Sequence, residues 1–174
     1  MSASNLPTLS LAEPAWSGDA PDPLAKPALY DGILAHRSMA YLVDLGILLA
    51  LDLTIHVLLI LLGVLSLGTL WLVMGPLIAL VSFIPIAIAY DTLLIGGKSS
   101  ATFGMRWFDV EARGWDGRRP DLWQALLNSA LFYATITFTG LLILLVALFT
   151  PRHRAAHDYL SGIVMIRRGS LTST

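Results

Sequence analysis

The chain of 174 residues has no cysteine, which excludes disulfides, thiolate catalysis and cysteine-based metal sites. Charge is also scarce, with 13% charged residues against 56% apolar ones and a mean hydropathy of +0.72, far from the balance of a soluble domain. The net charge is only -1, and the basic residues are scattered over several connectors, so no patch for nucleic acid forms and no nucleic-acid-binding motif is present. Enzyme signatures are missing as well. There is no G-x-S-x-G, H-E-x-x-H, P-loop or dinucleotide fingerprint, and Gly96-Gly97-Lys98-Ser99 lacks the upstream glycine and strand of a phosphate loop. No enzyme and no cofactor are expected. The start of the chain has neither the basic opening nor the apolar stretch and cleavage pattern of a secretory signal, so the tail is expected to stay on the mature protein.

What remains is long apolar runs that carry a few ionisable groups. The organising stretch is His36 to Leu65, with a first membrane helix from Arg37 to Leu65. It exceeds the roughly 20 apolar residues that cross a bilayer, yet Asp44, Asp52 and His56 lie inside it. Charges at such depth are costly and mark a functional site or a structural pair. At about 100° per residue, Arg37, Asp44, Asp52 and His56 share one side of the helix. Arg37 and Asp44 are separated by about 10 Å of rise, so each needs a partner from elsewhere in the chain.

A turn at Ser66 to Thr69 leads to a second apolar segment, Leu70 to Ile95, with Trp71 at an interfacial position and with Gly75-Pro76 and Pro85 able to bend it. The connector Gly96 to Asp121 carries Lys98, Arg106, Arg113, Arg118 and Arg119, and its five basic residues make it cytoplasmic by the positive-inside rule. Phe108, Val110 and Ala112 alternate ahead of an Asp116-Gly117 turn signal, which predicts a small amphipathic β-hairpin at the membrane surface. The third apolar segment, Leu122 to Thr150, has two readings. As a single tilted span it places Arg152, Arg154, Arg167 and Arg168 outside; as a re-entrant hairpin bending near Thr135 to Gly140 it returns them, with Asp158, to the cytoplasmic side.

The expected architecture is therefore an all-α membrane protein of three apolar helical segments. A disordered, proline-rich cytoplasmic tail occupies residues 1–33, a membrane domain residues 34–168, and a flexible C-terminal tail residues 169–174. Trp16 is the tail's one candidate anchor for a partner.

Three blocks in order carry a family resemblance. Arg37, Ala40 and Asp44 form R-x-x-A-x-x-x-D, the connector ATFGMRWFDVEA supplies Thr102, Gly104, Met105 and Arg106, and the C-terminal block supplies His157, Asp158, Gly162 and Val164. Over about Leu34 to Arg168 the chain resembles the RDD family of membrane proteins, called after one arginine and two aspartates. It departs from that pattern at Phe103, where proline is usual, at Ile163, where threonine is frequent, and at Asn128, where an arginine is frequent. The resemblance implies a bacterial inner-membrane protein and transport of the cation or proton exchange kind, while the positive-inside reading of the connector puts the N-terminus of this multi-pass chain in the cytoplasm.

A carboxylate that swaps between a cation, a proton and Arg37 is an exchanger's working part, and Asp44 is the first candidate. Asp52 and His56 are candidates for a relay deeper in the helix, and Asp158 is the competing partner of Arg37. The alternative from a different class is a membrane scaffold or accessory subunit whose arginine and aspartates are structural. His153 and His157 have helical ligand spacing, but Arg152 and Arg154 would repel a cation, and no metal is assigned. Expected partners are the lipid bilayer, a second copy of the chain, since three segments offer little wall around a pathway, and a membrane protein partner in the scaffold case.

Overall fold

The computed structural model describes residues 16–21, 26–65, 68–139 and 156–169. Helix α1 is Ile33–Leu65, 33 residues and about 50 Å by rise; α2 is Thr69–Ile95, 27 residues and about 40 Å. The apolar helix reaching back to Pro27 is, among the described residues, long and apolar enough to cross a membrane. Helix α2 is continuous through Pro76 and Pro85.

The burial pattern of α1 is inverted relative to a water-soluble helix. Its buried residues are Ile33, Ala40, Asp44, Leu48 and His56, a stripe near fourfold spacing, whereas Leu42, Leu49, Leu53, Leu58, Leu61, Leu62 and Leu65 are exposed. Polar groups point at other helices and leucines point outward, as a lipid-facing surface requires. Arg37 and Asp52 lie half-buried along the same stripe, so the polar side expected from the sequence is the packed side.

Helix α3, Phe103–Trp107, follows the turn after α2, and strand β1, Val110–Gly114, follows α3. The alternation at Val110 and Ala112 thus does form a strand. Its partner, however, is β2, Ile163–Arg167, antiparallel with Val110 opposite Arg167 and Gly114 opposite Ile163, and not the residues just past Asp116-Gly117. The reason lies in composition: the residues after that turn are Arg118, Arg119 and Pro120, with no apolar face to bury, whereas Ile163, Val164 and Ile166 are completely buried.

Helix α4, Leu122–Thr139, starts with a capping box in which the Gln124 N–H donates to the Asp121 carboxylate at 2.7 Å. It continues through Thr135 and Thr137 because their hydroxyls donate to the Leu131 and Tyr133 carbonyls, each at 2.7 Å, so these polar residues do not break the helix. Helix α5, Ala156–Ser161, packs beside the first half of α4, where the Ser161 hydroxyl donates to Asn128 Oδ1 at 2.8 Å. The third segment is described only through Thr139 and is helical across Thr135 to Thr139, so the choice between a single span and a re-entrant hairpin falls on residues 140–155, outside the described residues.

The N-terminal segment corrects the expectation of a disordered tail over residues 16–21 and 26–33. Trp16, Ala20, Leu29, Tyr30 and Ile33 join the core cluster that includes both strands. The Trp16 indole N–H donates to the Trp115 carbonyl at 3.0 Å and the Tyr30 hydroxyl to the Pro21 carbonyl at 3.0 Å. Burial of two aromatic rings offsets the ordering cost that composition alone suggested the tail could not meet. Trp16 is an anchor, but onto its own domain.

Candidate functional site

Asp44 sits where three elements meet. The Tyr90 hydroxyl from α2 and the Gly104 N–H from α3 each donate to its Oδ1 at 2.8 Å, and the Thr102 hydroxyl donates to its Oδ2 at 2.5 Å. Thr102 is the N-cap of α3 and its hydroxyl also accepts from the Met105 N–H at 3.2 Å. The glycine is required by closeness: a Cβ on Gly104 would lie 2.1 Å from the Ala40 carbonyl oxygen and 2.7 Å from Asp44 Oδ2. The connector motif is thus the clamp that holds the helix aspartate. Phe103, standing where proline is usual, directs its N–H at the Tyr90 hydroxyl at 3.4 Å, a contact proline would lack. Arg106 reaches neither aspartate; its guanidinium covers the Phe103 ring at 4.3 Å and its Nε donates to the Thr102 carbonyl.

Arg37 pairs with Asp158 at 2.8 Å, and Asp158 is fully buried. Of the two partners weighed for the arginine, the structure joins it to Asp158. His157, also buried, lies with Nε2 3.3 Å from Asp158 and edge-on to Phe132 at 5.0 Å. Burial pushes the His157 imidazole below its usual range, and Arg37 adds to that, against the opposing pull of Asp158. The imidazole is therefore neutral at physiological pH, and the 3.3 Å contact is not an ion pair. Gly162, at φ +69°, ends α5 and starts β2, a conformation that suits glycine.

Asp52 and His56 form a separate cluster with Ser82 of α2. His56 Nδ1 is 2.7 Å from the Asp52 carbonyl, so that nitrogen carries the proton; the Ser82 hydroxyl donates to Asp52 Oδ1 at 3.1 Å and lies 3.4 Å from His56 Nε2. Asp44 is about 12 Å of rise away, so the structure does not bring the two groups together.

A residue that the reading of motifs missed is Asp91, the single charged side chain of α2. It follows Tyr90 and hydrogen-bonds the Tyr133 hydroxyl of α4. The signal was present, because an acid inside an apolar run marks a site in the second segment as it does in the first. Asp91 lines a cavity of about 550 Å3 between α1, α2, α4 and α5, together with Arg37, Tyr41, Asp44, Phe132 and Tyr133. Among the described residues no cluster of three or more His, Asp or Glu is placed to hold a metal, and His153 lies outside them.

The family model described as the RDD family matches residues 33–162. No curated protein and no solved structure matches the chain.

Proposed function

The chain belongs to the RDD family, and from that premise we propose a bacterial inner-membrane protein that exchanges cations against protons, with the acid-lined cavity as its working part. The observation that carries this reading is the charge balance of that cavity. Two carboxyls line it, Asp44 and Asp91, while its one cationic side chain among the described residues, Arg37, is held 2.8 Å from Asp158. A carboxylate in a low-dielectric interior calls for a compensating proton or cation. The Asp44 oxygens are taken up by three donors, from Tyr90, Thr102 and Gly104. Asp91 is then the carboxyl that accepts either a proton or a cation, which is what exchange needs. The role first weighed for Asp44 passes to Asp91.

In this reading α1 and α2 cross the bilayer. The sheet, α3 and the basic connector lie at the cytoplasmic side with the N-terminal segment, and the exposed Trp107 and Trp123 rest at the headgroup level. A second reading, the scaffold, is favoured by a different observation. Both the Asp44 clamp and the Arg37–Asp158 pair tie loops and short elements onto α1, as structural polar contacts do.

Proteoliposomes separate the two. Cation-dependent proton flux should be present in the wild type and lost in Asp91→Asn when both reconstitute equally. Absence of flux in the wild type across sodium, potassium, lithium and quaternary ammonium ions over a range of pH would remove exchange and leave the scaffold.

A further inference from the structure

We infer that the cavity beside Asp91 binds an amphipathic organic cation, an ammonium group carried on an aromatic or aliphatic body. This deepens the exchange reading by naming the class of cation, and it rests on that reading for the cavity's use in transport.

Size is the first argument. A volume of about 550 Å3 lies within the range of sites that enclose drug-sized ligands and is far larger than a bare ion needs. Ligand chemistry is the second. A hard metal cation wants about six oxygens around it. Here the Asp44 oxygens are already taken up by Tyr90, Thr102 and Gly104, and Asp91 has the Tyr133 hydroxyl beside it, while Leu34, Leu45, Leu48 and Ile95 make much of the remaining wall apolar. An apolar body gains from such a wall what a hydrated ion would lose.

The aromatic residues supply the third argument. Tyr41 and Phe132 pack edge-on with centroids 5.6 Å apart, and Phe132 and Tyr133 with centroids 5.0 Å apart. Three rings therefore line the cavity that holds the Asp91 carboxyl, and aromatic rings combined with a carboxyl are the wall chemistry that attracts an organic ammonium. Charge complementarity sets the sign of the ligand, since Arg37 is engaged with Asp158 and the neighbouring His157 is neutral.

The test uses the full chain purified in detergent and benzyltrimethylammonium as the probe, measured by equilibrium dialysis. The wild type should bind it saturably, and Asp91→Asn should weaken binding by at least about tenfold, the expected result of removing the cavity carboxyl that the Tyr90, Thr102 and Gly104 donors do not occupy. Should Asp91→Asn fail to give a monodisperse protein, Phe132→Leu keeps the carboxyl and removes one ring; binding of the probe should then fall by about fivefold. No saturable binding by the wild type overturns the inference, as does binding unchanged in the variants that fold. A tightly held lipid in place of the probe also overturns it, because the occupant is then an acyl chain. Sodium-driven proton flux without probe binding would remove this inference and leave exchange standing. Probe binding without flux of any cation would do the reverse.

Discussion

At the scale of single residues, the two aspartates of the family pattern do different work. Asp44 accepts from three donors on two other elements, so Asp44→Asn places an amide N–H against at least one of those donors and leaves it unsatisfied. The expected cost is about 1–3 kcal/mol, read as a lower unfolding temperature in detergent. An unchanged unfolding temperature would mean that the clamp is not structural. Arg37 and Asp158 form a buried pair with 19% and 0% side-chain exposure, so Arg37→Ala strands a fully buried carboxylate. That should cost about 3–5 kcal/mol, while Arg37→Met with Asp158→Leu should cost much less, because removing both charges removes the desolvation penalty too. Equal losses in the single and double variants would contradict this. His157 adds a pH dependence. Its folded-state affinity for protons is lowered, so its contribution to stability is complete above about pH 6.5, the unfolded value, and is lost as pH falls through the folded value. His157→Gln should flatten the acid limb of unfolding temperature against pH below about pH 6.5.

At the scale of elements, what the sequence made legible was whatever depends on local pattern, and what it hid depends on contacts far apart in the chain. The polar stripe of α1 follows from helical spacing, and strand β1 follows from alternation at Val110 and Ala112. The identity of the β1 partner does not, because β2 is about fifty positions away and no local signal ties Val110 to Arg167. The clamp on Asp44 was legible in parts, as a threonine and a glycine in one motif and an aspartate in another. Only the fold shows that Thr102 caps α3 in a way that aims its hydroxyl at α1. Asp91 was passed over because it stands in no motif, although its depth in an apolar helix was in plain view. The tail was misread because composition describes an average, and two aromatic anchors were enough to order part of it. That anchoring is testable: Trp16→Ala should speed limited proteolysis before Ile33 by releasing the segment from Trp115. Unchanged cleavage would show that Tyr30 and Leu29 suffice.

At the scale of the whole molecule, the fold divides into a polar end and an apolar end. The core cluster of Trp16, the strands and α3 gathers at the N-terminal end of α1, and the Arg37–Asp158 pair ties α5 to that end. The α1–α2 turn, closed by the Gly68 N–H donating to the Gly63 carbonyl at 3.1 Å, stands at the other. With α1 across a bilayer as proposed, its length of about 50 Å exceeds the hydrocarbon core of about 30 Å, which puts its first turns outside that core with the sheet. Arg37, four residues into α1, then sits near the interface, where its charge is tolerable, and Asp52 and His56 lie deeper, which is why that pair needs Ser82. Because the chain has no cysteine of its own, single cysteines report sidedness without background. With the connector cytoplasmic, Asp116→Cys should react with an impermeant maleimide only when the inner face is open to the reagent, in inverted vesicles, and Gly68→Cys only in intact spheroplasts. Labelling of both from the same side would mean that α1 does not cross, and the cavity at Asp91 would then have to be reached from water instead of through the thickness of a membrane.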